Sequence, residues 1–229
     1  MKLKKALVAL VCAAALVTAT FLGTMAYFTD NDSVTNTFTV GKVGIDLKET
    51  KVDKNGVAVS PAEKTDEGNL YHLIPGQTYI KDPTVTVDAK SEESYIYMTV
   101  TVENIDKLKE AITADESPES YVDGVFLLQN LCDWQADSPW KYKGFDGTNT
   151  YRFAYKTTVT GEENADKALE PLFSKIIVPG KAVTNDDIEE LQAVKIHVNA
   201  YAVQAAGFAN LDVAWSATFG ENTNFTINN

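Results

Sequence analysis

Tyr95-Ile96-Tyr97-Met98-Thr99-Val100-Thr101-Val102 keeps one rhythm throughout: Ile96, Met98, Val100 and Val102 share one parity, and Tyr95, Tyr97, Thr99 and Thr101 share the other. A period of two marks a strand with one buried and one wet face, the habit of antiparallel sheets. The pattern recurs where Val43, Ile45 and Leu47 alternate with Lys42, Gly44, Asp46 and Lys48. It recurs again where Ile196, Val198, Ala200 and Ala202 alternate with Lys195, His197, Asn199 and Tyr201. Tyr151, Phe153 and Tyr155 give a further strand an aromatic face, and Val85-Thr86-Val87, Ile176-Ile177-Val178 and Trp215 to Phe219 read as more strands.

The turns agree. Asn55-Gly56 suits the positive φ angles of a type I′ hairpin turn between residues 49–53 and 57–60. Asp123-Gly124 and Asp146-Gly147 are similar punctuation, and the polar stretch from Pro61 to Asn69 reads as a solvated loop. Two short helices interrupt the strands. One carries Ile105, Leu108 and Ile112 after a cap at Asn104; the other follows the capping box Thr184-Asn185-Asp186-Asp187, with Ile188 and Leu191 as its stripe. The expected fold is mainly β: a jelly-roll-like antiparallel sandwich with two or more short helices. No internal repeat or linker divides it.

Lys2, Lys4 and Lys5 lead into a charge-free run from Ala6 to Thr29 that contains Thr24-Met25-Ala26. A basic start, an apolar middle and small residues before a cut make an export signal. Cleavage is expected between Ala26 and Tyr27, leaving residues 1–26 as a signal helix and 27–229 as one domain. The run is also long enough for an uncleaved anchor, but it is rich in Ala and Thr and no basic cluster follows it. Residues 215–229 hold no LPxTG sequence and no apolar tail, so nothing covalent is expected to retain the cleaved chain at the wall or membrane.

The chain has 20 basic and 32 acidic residues. Removing three leader lysines leaves 17 against 32, a net charge of −15. Such a surface repels phosphate backbones and anionic headgroups, which argues against nucleic acid and, after cleavage, against membrane as partners. Cys12 lies in the leader, too early and after Val11, unlike a lipid-acceptor cysteine. Cys132 is then alone, so no internal disulfide forms and stability must come from a core. Cys132 itself reads as a small semi-buried side chain rather than a nucleophile.

Gly23-Thr24-Met25-Ala26-Tyr27-Phe28-Thr29-Asp30, then Asn36-Thr37-Phe38-Thr39-Val40-Gly41 and Ile45-Asp46-Leu47, resemble the TasA/camelysin (CalY) family. Further similar blocks are Leu73-Ile74-Pro75-Gly76, Lys81-Asp82-Pro83-Thr84-Val85-Thr86-Val87, Tyr95-Ile96-Tyr97-Met98, Leu172-Phe173 and residues 196–204, ending near Trp215. The resemblance covers nearly the whole cleaved chain, with the N-terminal block the most specific. It implies an exported protein of Gram-positive bacteria, secreted to the extracellular matrix or cell surface and processed by a SipW-type signal peptidase. It further implies a jelly-roll subunit of biofilm-matrix fibres, in which the N-terminal strand of one subunit completes the sheet of the next. Self is then the main partner, possible help coming from an accessory assembly protein. The name camelysin carries the alternative, a secreted metallo-endopeptidase.

The residues supply no catalytic motif for that alternative. A zinc protease usually sets two His one helical turn apart with a Glu base. Here His72 precedes Leu73-Ile74-Pro75, where no helix continues, and His197 falls on the wet face of a strand, 125 positions on. No GxSxG elbow, Walker loop or GxGxxG is present. Glu92-Glu93, Glu162-Glu163, Asp186-Asp187 and Glu189-Glu190 are adjacent pairs whose members diverge on any regular element. Asp30-Asn31-Asp32 offers oxygen ligands without the Gly and distal Glu of an EF-hand, so calcium, like zinc, is a weak prospect and a polar turn the simpler reading. No cofactor is expected.

Cleavage would free residues 27–40, a segment with β-branched and aromatic side chains, no Pro, and only Asp30 and Asp32 charged. Tyr27, Phe28, Val34, Phe38 and Val40 are its candidate assembly residues. Phe38 and Val40 share a face; Tyr27 and Thr29 share the same parity, and Phe28 the opposite one. A strand with a free end can pair in its own sheet or add to a neighbour's. Composition leaves both open, and the family resemblance implies the second.

Overall fold

The computed structural model describes residues 29–32, 42–74, 76–108, 124, 127–178 and 194–220. The leader with its Ala26–Tyr27 cut, and also Phe28, Val34, Phe38, Val40, Ile112 and the expected helix at 184–191, lie outside the described residues.

The described chain is mainly β, with every pairing antiparallel. Its strands are β1 (Thr29–Asp32), β2 (Ile45–Thr50), β3 (Lys64–Thr65), β4 (Thr78–Ile80), β5 (Thr84–Val87), β6 (Ser94–Glu103), β7 (Trp140–Phe145), β8 (Thr150–Tyr155), β9 (Lys167–Ala168), β10 (Lys175–Ile177) and β11 (Lys195–Gln204). One sheet has the order β1-β11-β6-β8-β7, a second β3-β2-β5-β9, and β10 and β4 form a ribbon. The alternation at Tyr95–Val102 has the expected consequence. Ile96, Met98, Val100 and Val102 are fully buried and share one core with Tyr151, Phe153, Ala200 and Ala202 of their own sheet. Ile45, Val85 and Val87 of the second sheet close that core from the other side. Each buried Val, Ile, Met or Phe contributes roughly 1.5–3 kcal/mol, and among the described residues no disulfide adds to that packing.

Two readings need correction. The opposite face of β6 is not wet, because Tyr97 is fully buried there with Ala154 and Val203. What covers it is residues Leu211–Phe219, which form a helix, α1, instead of the strand expected from Trp215 to Phe219. Alternation over five residues fits either element. The same stretch, however, sets Leu211, Trp215 and Phe219 four apart on one helical stripe. Asn210 supplies the start, its side chain accepting from the Val213 N–H, and Gly220 at φ 84 ends it. Trp215 then meets Tyr97 edge-on with ring centroids 5.0 Å apart.

The Asn55-Gly56 turn is present but is not type I′. Only Gly56 has positive φ, at 74, and its N–H donates to the Asp53 carbonyl. That is a type I turn closed by a left-handed glycine. Asn104, at φ 55, leaves β6, and Ile105 and Leu108 then pack into the core as the expected stripe requires. Asp146 shapes the β7–β8 hairpin by accepting from the N–H groups of Thr148, Asn149 and Thr150. Among the described residues no helix is long and apolar enough to cross a membrane.

Candidate assembly edge and groove

β11 is ten residues long, and β6 pairs with all of it on one side. On the other side β1 pairs with Ala200–Val203 alone, within the same chain. Lys195–Asn199 therefore have no strand beside them among the described residues. Other edges differ. β7 carries a bulge between Tyr142 and Gly144 and presents Lys141, and β9 is two residues long. β3 is also two residues long and pairs with Glu49 and Thr50 alone, so Ile45–Lys48 of β2 likewise have no strand on that side among the described residues. Bulges, lysines and brevity are the usual guards against edge-to-edge pairing, and the open half of β11 has no bulge or proline.

Two adjoining cavities follow this open half. The larger, about 410 Å3, is lined by Leu108, Leu131, Ile176, Val178 and Val194. The smaller, about 210 Å3, is mainly polar: Lys48, Glu49, Thr65, Asp66 and Asn199 line it beside Leu47, Pro83 and Val198. Ile196, Lys81 and Glu67 line both. The apolar walls come from core strands whose next layer ends here: Ile196 and Val198 are only partly buried, although they sit on the inward face of β11.

A polar knot holds one wall. Lys81 Nζ lies 2.6 Å from Glu49 Oε2, and the two side chains are 8% and 9% exposed. Asn69 Nδ2 donates to Glu49 Oε1 at 2.8 Å and to the Thr50 carbonyl, while its Oδ1 accepts from the Val52 N–H. Asn69, expected at the end of a solvated loop, is thereby tied to β2. Tyr71 donates to the Ile80 carbonyl at 2.9 Å, and burial raises its phenol well above the ordinary value. Tyr79 donates to the His72 carbonyl and accepts from the Ile74 N–H, fixing the next segment.

Both histidines line the larger cavity, a convergence that 125 intervening positions concealed. His197 keeps its expected exposed face, with Nε2 3.2 Å from Glu103 Oε1. A catalytic zinc ordinarily takes three protein ligands; among the described residues no group of three His, Cys, Asp or Glu is placed to hold a metal. Cys132 is buried at 6% exposure, and burial pushes its thiol up to about 12. A neutral thiol of that kind is inert. Asp30-Asn31-Asp32 lies in β1, paired with Ala202, Tyr201 and Ala200, so the polar turn expected there is a strand.

Comparison of the chain with models of known protein families, with curated proteins and with solved structures gives no match. Of the expected assembly segment, Thr29–Asp32 stands on the described edge, while Tyr27, Phe28, Val34, Phe38 and Val40 lie outside the described residues. The acceptor side, Val194, Ile196 and Val198 with Leu108 and Leu131, was not singled out from sequence as a site. Ile196 and Val198 read there as the buried face of a strand, and only the sheet order shows that no described strand pairs with Lys195–Asn199 on that side.

Proposed function

We propose that this protein is an exported structural subunit that polymerises by strand addition into extracellular biofilm-matrix fibres. The reading joins the family resemblance to one observation: β1 covers four positions of a ten-residue edge, and among the described residues no strand pairs with Lys195–Asn199, which border a groove whose larger cavity has apolar walls. Backbone N–H and C=O groups on such an edge give an incoming strand affinity, and alternate side chains give it register. The segment that already pairs there follows directly after the expected Ala26–Tyr27 cut. Before cleavage by a SipW-type peptidase the leader would tether that segment at the membrane; afterwards it is free to exchange. A head-to-tail contact of this kind is heterologous and, without closure, grows a filament. Self is the principal partner, with an accessory protein as a further participant in the matrix, and the jelly-roll connectivity belongs to the same proposal.

The test compares protein beginning at Tyr27 with protein lacking residues 27–36. The first should form fibres by electron microscopy and scatter light in a concentration-dependent way; the second should stay monomeric. Fibres from the truncated form would defeat the proposal. The competing peptidase reading draws on the shared cavity of His72 and His197. Casein cleavage abolished by chelator and by either His72→Ala or His197→Ala would establish it instead.

A further inference from the structure

We infer that Lys81 and Asn69 become joined by an amide bond that the protein makes itself: Lys81 Nζ replaces Nδ2 on Asn69 Cγ, ammonia leaves, and Glu49 carries the protons. The bond is independent of strand addition. Glu49 and Lys81 are the charged residues buried among the described ones. The two oxygens of that one carboxylate hold the two reactants. Oε2 lies 2.6 Å from Lys81 Nζ, and Oε1 accepts from Asn69 Nδ2 at 2.8 Å. Asn69 is itself oriented. Its Nδ2 also donates to the Thr50 carbonyl at 2.9 Å, and its Oδ1 accepts from the Val52 N–H at 2.9 Å. An amine, a base and an amide with a polarised carbonyl thus meet in one place, the amine and the base both buried. The neighbouring ion pair lacks these features. Lys64 Nζ lies 2.7 Å from Asp82, but the lysine side chain is 48% exposed, and that carboxylate's other partner is Thr50, which offers no side-chain acyl group.

The chemistry balances without a co-reactant. When Lys81 passes one proton to Glu49, a buried ammonium and a buried carboxylate become two neutral groups, which a dry site favours. The freed amine attacks Asn69 Cγ, a C–N bond forms, and negative charge gathers on Oδ1. The Val52 N–H already lies at the distance from which a backbone donor stabilises such an oxyanion. Glu49 gives its proton to Nδ2 and takes a second one from Nζ; the Cγ–Nδ2 bond breaks and ammonia departs. Nζ keeps one hydrogen as an ordinary amide N–H. Glu49 keeps the last proton and needs no cation beside it. Asn69 and Lys81 both line the larger cavity, which gives ammonia a way out. Amides are poor acyl donors to amines in free solution, but well-oriented neighbours reach effective molarities of about 10⁵–10⁸ M. Until the bond forms, Lys81 and Glu49 are an ordinary buried ion pair, and unlinked protein is the reference for substitutions at either position. Once formed, the bond closes a ring through residues 69–81. It ties the segment carrying Tyr71 and His72 to the end of β4, in a chain where Cys132 is a free thiol.

The experiment is mass spectrometry on the purified, denatured protein. Its intact mass should fall short of the sequence by one ammonia. Trypsin, which cuts after lysine, should pass over the acylated Lys81 and leave residues 65–90 as one peptide with the same deficit. A chymotryptic cut within residues 70–80 should then leave its two pieces joined through Asn69 and Lys81. Glu49→Gln should abolish the link. Asn69→Ala, which keeps the Lys81–Glu49 pair, and Lys81→Arg, which keeps the charge, should each restore the full mass. Full mass after prolonged incubation of the folded unsubstituted protein, with a normal tryptic cut at Lys81, overturns the inference. So does a deficit that leaves Lys81 open to trypsin, which marks a cyclised Asn69 instead. A link of undiminished yield in Glu49→Gln overturns the role given to Glu49. Should that variant not fold, Asn69→Ala decides: a folded protein of full mass assigns the deficit to Asn69, and a deficit that persists overturns the inference.

Discussion

Lys81 and Glu49 are charged groups at depths where a sandwich usually packs hydrocarbon, and Asn69 completes their hydrogen bonding. Burying two ions costs several kcal/mol each before their attraction returns it, so such a pair adds little net stability, whereas losing one partner strands the other. Lys81→Met should therefore destabilise the protein by about 3–5 kcal/mol in urea unfolding, and Glu49→Leu with Lys81→Met should recover most of that loss. A double variant as unstable as the single one would show that the pair carries net stability after all. The sequence placed Glu49 in a hairpin arm and Lys81 just before Pro83, with nothing local to show that the two meet. Their burial depends on a loop more than a dozen positions away folding back over β2, which no local pattern encodes.

Elements were legible wherever local pattern and tertiary environment agreed. The alternations of β6 and β11 carried their core faces plainly. α1 was missed because a five-residue alternation and a helical stripe overlap, and the capping signal at Asn210 was passed over. The open edge could not be read at all, since it follows from sheet order. Hairpins and connections also fix how the elements respond to acid. Burial alone would raise the carboxyl of Asp146, but N–H donors from Thr150, Thr148 and Asn149 outweigh it and lower the pKa. Asp133 behaves likewise through Ser174 and Lys175, and Asp82 through Lys64 and Thr50. A carboxylate with a depressed folded pKa stabilises above its unfolded value, about 3.9, and loses that contribution as pH falls through the folded value. The urea midpoint should therefore stay nearly flat from about pH 7 to pH 5 and fall below about pH 4. Asp146→Asn should lower the midpoint at neutral pH and flatten the acid decline. An unchanged acid slope in that variant would remove Asp146 from the account.

For the whole molecule, the long-range term works against the contact that the fold offers. A net charge of −12, or −15 once the leader is gone, makes every copy repel every other. On the strand-addition proposal the short-range gain would come from the apolar part of the groove and from backbone hydrogen bonds, neither of which weakens in salt. Screening shortens the reach of the repulsion from about 30 Å at 0.01 M ionic strength to about 8 Å at 0.15 M. Moving the protein from dilute buffer to physiological salt should therefore shorten the lag of fibre growth and lower the critical concentration. Assembly through complementary charges on different copies would respond in the opposite sense, since salt weakens such pairs. Light scattering across a sodium chloride series separates the two: slower growth with added salt would mean that ion pairs, and not the open edge of β11, hold the copies together.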